Sequence, residues 1–101
     1  MNFLNKSVEE YIVCAALWYQ DDQVYMHQPR NIANGFVVCG LRHHNCSVIL
    51  TMITEKIEFK VVQGFLTSED RFVDRKEAGL IAFNSKQINT LTDCLFSEDL
   101  Y

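Results

Sequence analysis

The stretch Cys39-Gly-Leu-Arg-His-His-Asn-Cys-Ser-Val-Ile-Leu-Thr-Met-Ile53 changes its periodicity part-way along. Before it, Phe36, Val37, Val38 and Cys39 form an apolar run that reads as a buried strand, and Gly40 ends that run. After it, Cys46, Ile49, Leu50 and Ile53 fall at i, i+3, i+4 and i+7, one face of a helix over about residues 44–54. The expected unit is strand, tight turn, helix, with Arg42, His43, His44 and Asn45 at the turn. A helix start exposes unpaired backbone N–H groups and the positive end of the peptide dipoles, which favours an anion. Arg42 and either histidine would complete such a site.

Working upstream, residues 11–19 are apolar, β-branched and aromatic, and Asp21-Asp22 follows them. This predicts a strand and a hairpin, with residues 23–27 as the return strand before Gln28-Pro29. Asn34-Gly35 marks a turn. Downstream, residues 57–66 predict another strand and residues 67–70 a polar loop. Arg71, Phe72 and Val73 then lead into a second helix, with Asp74 as N-cap and Glu77 closing a capping box. Val73, Glu77, Leu80, Ile81 and Asn84, with Ala78 and Ala82, form its expected inner face. Residues 95–101 read as a docked tail mixing apolar and acidic side chains. Together these predict one α+β domain spanning residues 1–101, an antiparallel sheet with two main helices packed on one face.

The second helix start repeats the logic of the first. Arg71 and Arg75 flank it, beside Phe65 and Phe72. Arginine pairs bidentately with phosphate oxygens, and an aromatic face stacks on a base. A second arrangement stays open, with both phenylalanines in the core and both arginines paired to Glu69, Asp70 or Asp74. In the tail, Glu98 and Asp99 are candidates to accept ribose hydroxyls.

Composition narrows the partners. The net charge of −4 denies a nucleic-acid polymer the broad basic face it needs. A small anionic ligand in a local cationic pocket is compatible with it. No run of about 18 apolar residues predicts a membrane span. Residues 1–10 are acidic where a signal peptide is apolar, and the four cysteines contain no C-x-x-C. Both point to a cytoplasmic chain with reduced thiols. Zinc at Cys39, His43, His44 and Cys46, with His27 as a distant ligand, has suitable residue types but unsuitable spacing. No nucleophile elbow, P-loop or dinucleotide fingerprint is present. The expectation is a binding protein with no catalytic residue, metal or cofactor. The alternative is a small nucleotide-processing hydrolase using His43 or His44 as acid–base.

The strings His27-Gln-Pro29, Gly35-Phe-Val-Val-Cys-Gly40 with Arg42-His-His-Asn-Cys46, Gln63-Gly-Phe-Leu-Thr-Ser68, Arg71-Phe-Val-Asp-Arg75 and Leu95-Phe-Ser-Glu-Asp-Leu-Tyr101 resemble small phage and prophage proteins of the first-described anti-Thoeris sponge family. The resemblance covers about residues 11–101. It implies a phage protein that sequesters a cyclic ADP-ribose isomer, a bacterial immune signal, without degrading it. Some members of that family also take cyclic oligonucleotides. It further implies a dimer or larger homo-oligomer with pockets near subunit contacts. On the residue map above, Arg42, His43 and His44 would hold phosphates, Phe65 would stack on adenine, and Arg71 and Arg75 would clamp the pyrophosphate or a ribose. Thr67 and Phe72 would line the same site, and Glu98 and Asp99 would hold ribose hydroxyls. These roles come from residue chemistry, and the resemblance does not fix them. Leu41 and Glu69-Asp70 depart from the family pattern, which has a basic residue and Asp-Asn there, and both departures make the pocket less cationic.

Overall fold

A computed structural model describes residues 9–54 and 60–100. The apolar strand β1 (Ile12–Gln20) lies in the middle of the sheet, paired antiparallel with β2 (Phe36–Gly40) on one side and β3 (Lys60–Thr67) on the other. β4 (Phe72–Asp74) adds to β3, giving the order β2-β1-β3-β4. Helices α1 (His43–Ile53) and α2 (Arg75–Asn84) pack on one face. This is the expected α+β architecture.

Alternation along β1 sends Ala15, Leu17 and Tyr19 to the helix side. The register sets Ala15 beside Phe65 and Phe65 beside Val73, while Leu17 faces Val38. Cys46 and Leu50 of α1, Ala78, Ile81 and Ala82 of α2, and Leu95 of the tail close over these side chains. Phe65 and Leu95 are wholly buried. Truncating a residue such as Phe65 to alanine costs about 3–5 kcal/mol in cores of this kind.

On the opposite face, Asn31 and Asn34 of the loop before β2 meet Phe72 and Trp18. Trp18 meets Phe72 edge-on at 5.7 Å and donates its indole N–H to the Asn34 carbonyl. The Asn31 amide brackets Phe72, donating to its carbonyl at 2.7 Å and accepting its N–H at 2.8 Å.

Several expectations are corrected here. Residues 23–27 form no return strand. They contribute one isolated bridge, Val24 to Gly35, and Val24 and Met26 are exposed. The Asp21 carboxylate accepts from the Gln23 N–H and from the Tyr25 hydroxyl, and Asp22 takes a left-handed φ of 64°, so the chain turns away. The vacant flank of β1 goes to β2, whose Val38 is buried in the core. Residues 72–74 lead to the second helix as a strand, because the 67–71 turn folds them back on β3. Asp74 does cap α2, accepting the Glu77 N–H at 2.8 Å, but the Glu77 carboxylate pairs with Arg71. The inner face of α2 is Ala78, Gly79, Ile81 and Ala82, while Glu77, Leu80 and Asn84 are exposed. Small residues are needed there because the tail crosses the helix closely: a Cβ on Gly79 would lie 2.1 Å from the Thr92 carbonyl oxygen. On α1, Cys46 and Leu50 are buried, whereas Ile49 and Ile53 are exposed beside Val48 and Met52. The first part of the expected strand 57–66, residues 57–59, and Tyr101 of the tail lie outside the described residues.

Candidate functional site

Four separate segments meet where α1 begins. Arg42 is the N-cap residue of α1, in extended backbone with φ −124° and ψ 156°. Its backbone N–H donates to Asn45 Oδ1 at 3.0 Å, which sets the turn. His43 follows, half-buried, with its ring edge-on to Phe65 at 5.0 Å. Its Nε2 donates to the Gly64 carbonyl at 2.7 Å, since a carbonyl can only accept. Burial pushes the His43 pKa below its ordinary value. The Gly64 carbonyl and Glu98 oppose that shift, and Arg75 adds to it. Burial thus favours the neutral form of the ring.

Arg75, the first residue of α2, reaches the same corner. Its Nη1 donates to the Leu95 carbonyl at 2.7 Å, and its Nη2 donates to Gln63 Oε1 at 2.6 Å. The guanidinium carbon sits 4.9 Å above the Phe96 ring. Arg75 thus ties β3 to the tail, helped by the Leu95 N–H donating to the Arg75 carbonyl. A short 3-10 turn, Ser97–Asp99, then places Glu98 within electrostatic reach of Arg42 and His43. Its own backbone N–H chiefly lowers the Glu98 pKa, with Ser97, Arg42 and His43 assisting against desolvation. Phe96 is half exposed.

The expected residues Arg42, His43, Arg75 and Glu98 are therefore brought together. The others are not. Phe65 and Phe72 are buried, the first supporting His43 and the second edge-on to Trp18 across the sheet. Thr67 is buried and donates to Glu10. Arg71 sits at the far end of β4, bound by Glu10 and Glu77. His44 is exposed on α1, and Asp99 accepts the Phe96 N–H at 2.9 Å, which makes it a cap for the turn. Gln63 and Phe96 were not anticipated. The signal for Phe96 was an aromatic among acids in the tail.

An open groove of about 600 Å³ runs from Phe96 and Asp99 past Cys94, Leu91 and Ile88. That is within the size range of small-ligand sites. A larger groove of about 840 Å³ lies between α2 and residues 91–93. Its charged lining is Asp74, Glu77 and Asp93 against Lys76, so it disfavours an anion. Among the described residues no three or more His, Cys, Asp or Glu side chains gather as a metal site. Cys46 directs its thiol to the Ala15 and Arg42 carbonyls, each at 3.4 Å.

The family model of the phage T4 y16D protein matches residues 11–101. The chain belongs to that phage protein family. The match runs from β1 through the tail, so every segment contributing to the Arg42–Arg75 corner lies within the family's span. No curated protein and no solved structure gives a significant match. Among the described residues of this phage-family chain, no helix is long and apolar enough to cross a membrane.

Proposed function

We propose that this phage protein binds and sequesters a cyclic ADP-ribose isomer, or a related cyclic nucleotide signal, at the Arg42–Arg75 corner without degrading it. The observation that carries the reading is the convergence of Arg42, His43, Arg75, Phe96 and Glu98 from three segments of an acidic chain. Arg42 and Arg75 supply charge-assisted donors for a pyrophosphate. The α1 N-terminus adds backbone N–H groups. Phe96, already carrying a cation on one face, takes the stacking role expected of Phe65. Glu98 accepts ribose hydroxyls. The site acts in the cytoplasm of the infected host, and the protein works as a homo-oligomer. The uncharged, exposed surface of α1 at Val48, Ile49, Met52 and Ile53 supports that assembly.

The test is to incubate the protein with the cyclic signal, remove unbound ligand, denature the complex and analyse what is released. Intact signal is expected. Failure to retain ligand defeats the proposal, and a cleaved product turns the reading to the hydrolase alternative at His43. Native mass spectrometry of the same complex reports the number of chains and ligands.

A further inference from the structure

Two thiols share the sheet surface that faces away from the helices. In the β1–β2 ladder Ala16 stands opposite Cys39, and Cys14 lies two residues from Ala16 along β1. Side chains two apart on a strand point to the same face, so Cys14 and Cys39 are diagonal neighbours across the ladder. The Cys14 side chain faces Cys39 and the Gly40 N–H across this ladder. Both cysteines are partly exposed. The other two stand apart from this arrangement: Cys46 is buried on the helix side, and Cys94 is exposed in the segment after α2. The neighbouring Cys39 thiol holds the Cys14 thiol down at about 7, against desolvation. The Cys39 thiol is pushed up by its neighbour and by burial. The pair thus releases one proton near neutrality and keeps the other.

We infer that Cys14 and Cys39 form a dithiol that a small-molecule disulfide such as glutathione disulfide converts into a cross-strand disulfide, with Cys14 attacking and Cys39 resolving. The Cys14 thiolate attacks one sulfur of the oxidant. The oxidant's S–S bond breaks, one glutathione thiolate leaves, and a mixed disulfide remains on Cys14. Cys39 gives its proton to solvent and attacks the Cys14 sulfur, expelling the second glutathione thiolate. Two protein thiols are oxidised to one disulfide, and the oxidant is reduced to two thiols. Diagonal neighbours lie about 7–8 Å apart, whereas a relaxed disulfide spans about 4.4–6.8 Å between Cα atoms. Closure therefore draws β1 and β2 together near Gly40, and the bond is one that excess thiol readily reopens.

The experiment treats the reduced full-length protein with glutathione disulfide, quenches with acid, alkylates remaining thiols and maps peptides by mass spectrometry. The expected product has lost two hydrogens and yields a Cys14–Cys39 linked peptide that excess glutathione dissolves. In Cys39→Ser, Cys14 accumulates the glutathione adduct several-fold faster than Cys94 in the same sample. The wild-type map requires no variant, so a misfolded Cys39→Ser chain leaves the result decisive. Glutathione on Cys94 with Cys14 and Cys39 both alkylated overturns the inference. So does a link from either cysteine to Cys46 or Cys94.

Discussion

The two ends of β4 each carry an arginine, and their partners differ in kind. Arg71 is chelated by Glu10, at 2.9 and 2.8 Å, and touches Glu77 at 2.9 Å. Its charge is neutralised inside the fold, and those carboxylates raise its pKa. Arg75 is held by a carbonyl, an amide oxygen and an aromatic face. These neutral partners fix the guanidinium without cancelling its charge. The same side chain is thus a structural tie at one end and a prepared anion contact at the other. What separates the two is whether the groups that orient the arginine are themselves charged.

The sharpest way to break this contrast is to change groups of the proposed anion site and of the neutralised end separately. Arg42→Ala is expected to weaken nucleotide retention by about 2–3 kcal/mol, roughly a hundredfold, with the thermal midpoint little changed. Isothermal titration calorimetry and a thermal melt check both halves. Retention at the wild-type level sinks the anion role given to the start of α1. Gly79→Ala tests the tail. The new Cβ meets the Thr92 carbonyl at 2.1 Å, so the segment must move. A stability loss of about 1–3 kcal/mol is expected, with weakened binding because Phe96 and Glu98 are displaced. Urea unfolding measures the first effect and calorimetry the second. Phe96→Ala is expected to cost about tenfold in affinity, the order of one base–aromatic stack. An unchanged affinity would leave the site without an aromatic contact.

The parts of this site legible in the sequence are those set by neighbours a few residues apart. The strand–turn–helix at residues 39–53 could be read because an apolar run gives way to a helical period within one segment. Asp74 could be read as a cap because its acceptor and the Glu77 N–H are three residues apart. What failed depended on competition across the fold. Residues 23–27 alternate like a strand, but β2 holds the flank of β1 and buries Val38 there. Arg71 is chelated by Glu10, 61 residues away, and pairs with Glu77, and none of the nearby Glu69, Asp70 or Asp74 pairs with it among the described ion pairs. Phe65 and Phe96 are equivalent as residue types. Which of them is exposed depends on how the tail docks, and no local pattern records that.

The smallest expected effect probes the neutralised end. Arg71 holds the Glu10 carboxyl below its ordinary value of 4.5, chiefly through their hydrogen bond. A carboxylate whose pKa is lowered by folding stabilises the fold fully above the unfolded value. That contribution is lost as pH falls through the folded value, while Arg71 stays charged throughout. The Arg71 and Glu10 side chains are 24% and 21% exposed, so solvent screening keeps the contribution below about 1 kcal/mol. Urea midpoints taken well above and well below pH 4.5 should therefore fall less on acidification in Glu10→Gln than in the wild type. Nucleotide retention above pH 4.5 should be the same in both. A Glu10→Gln protein with altered retention would mean that the charge at Arg71 is felt at Arg75, and the two ends of β4 would then have to be treated as one electrostatic site.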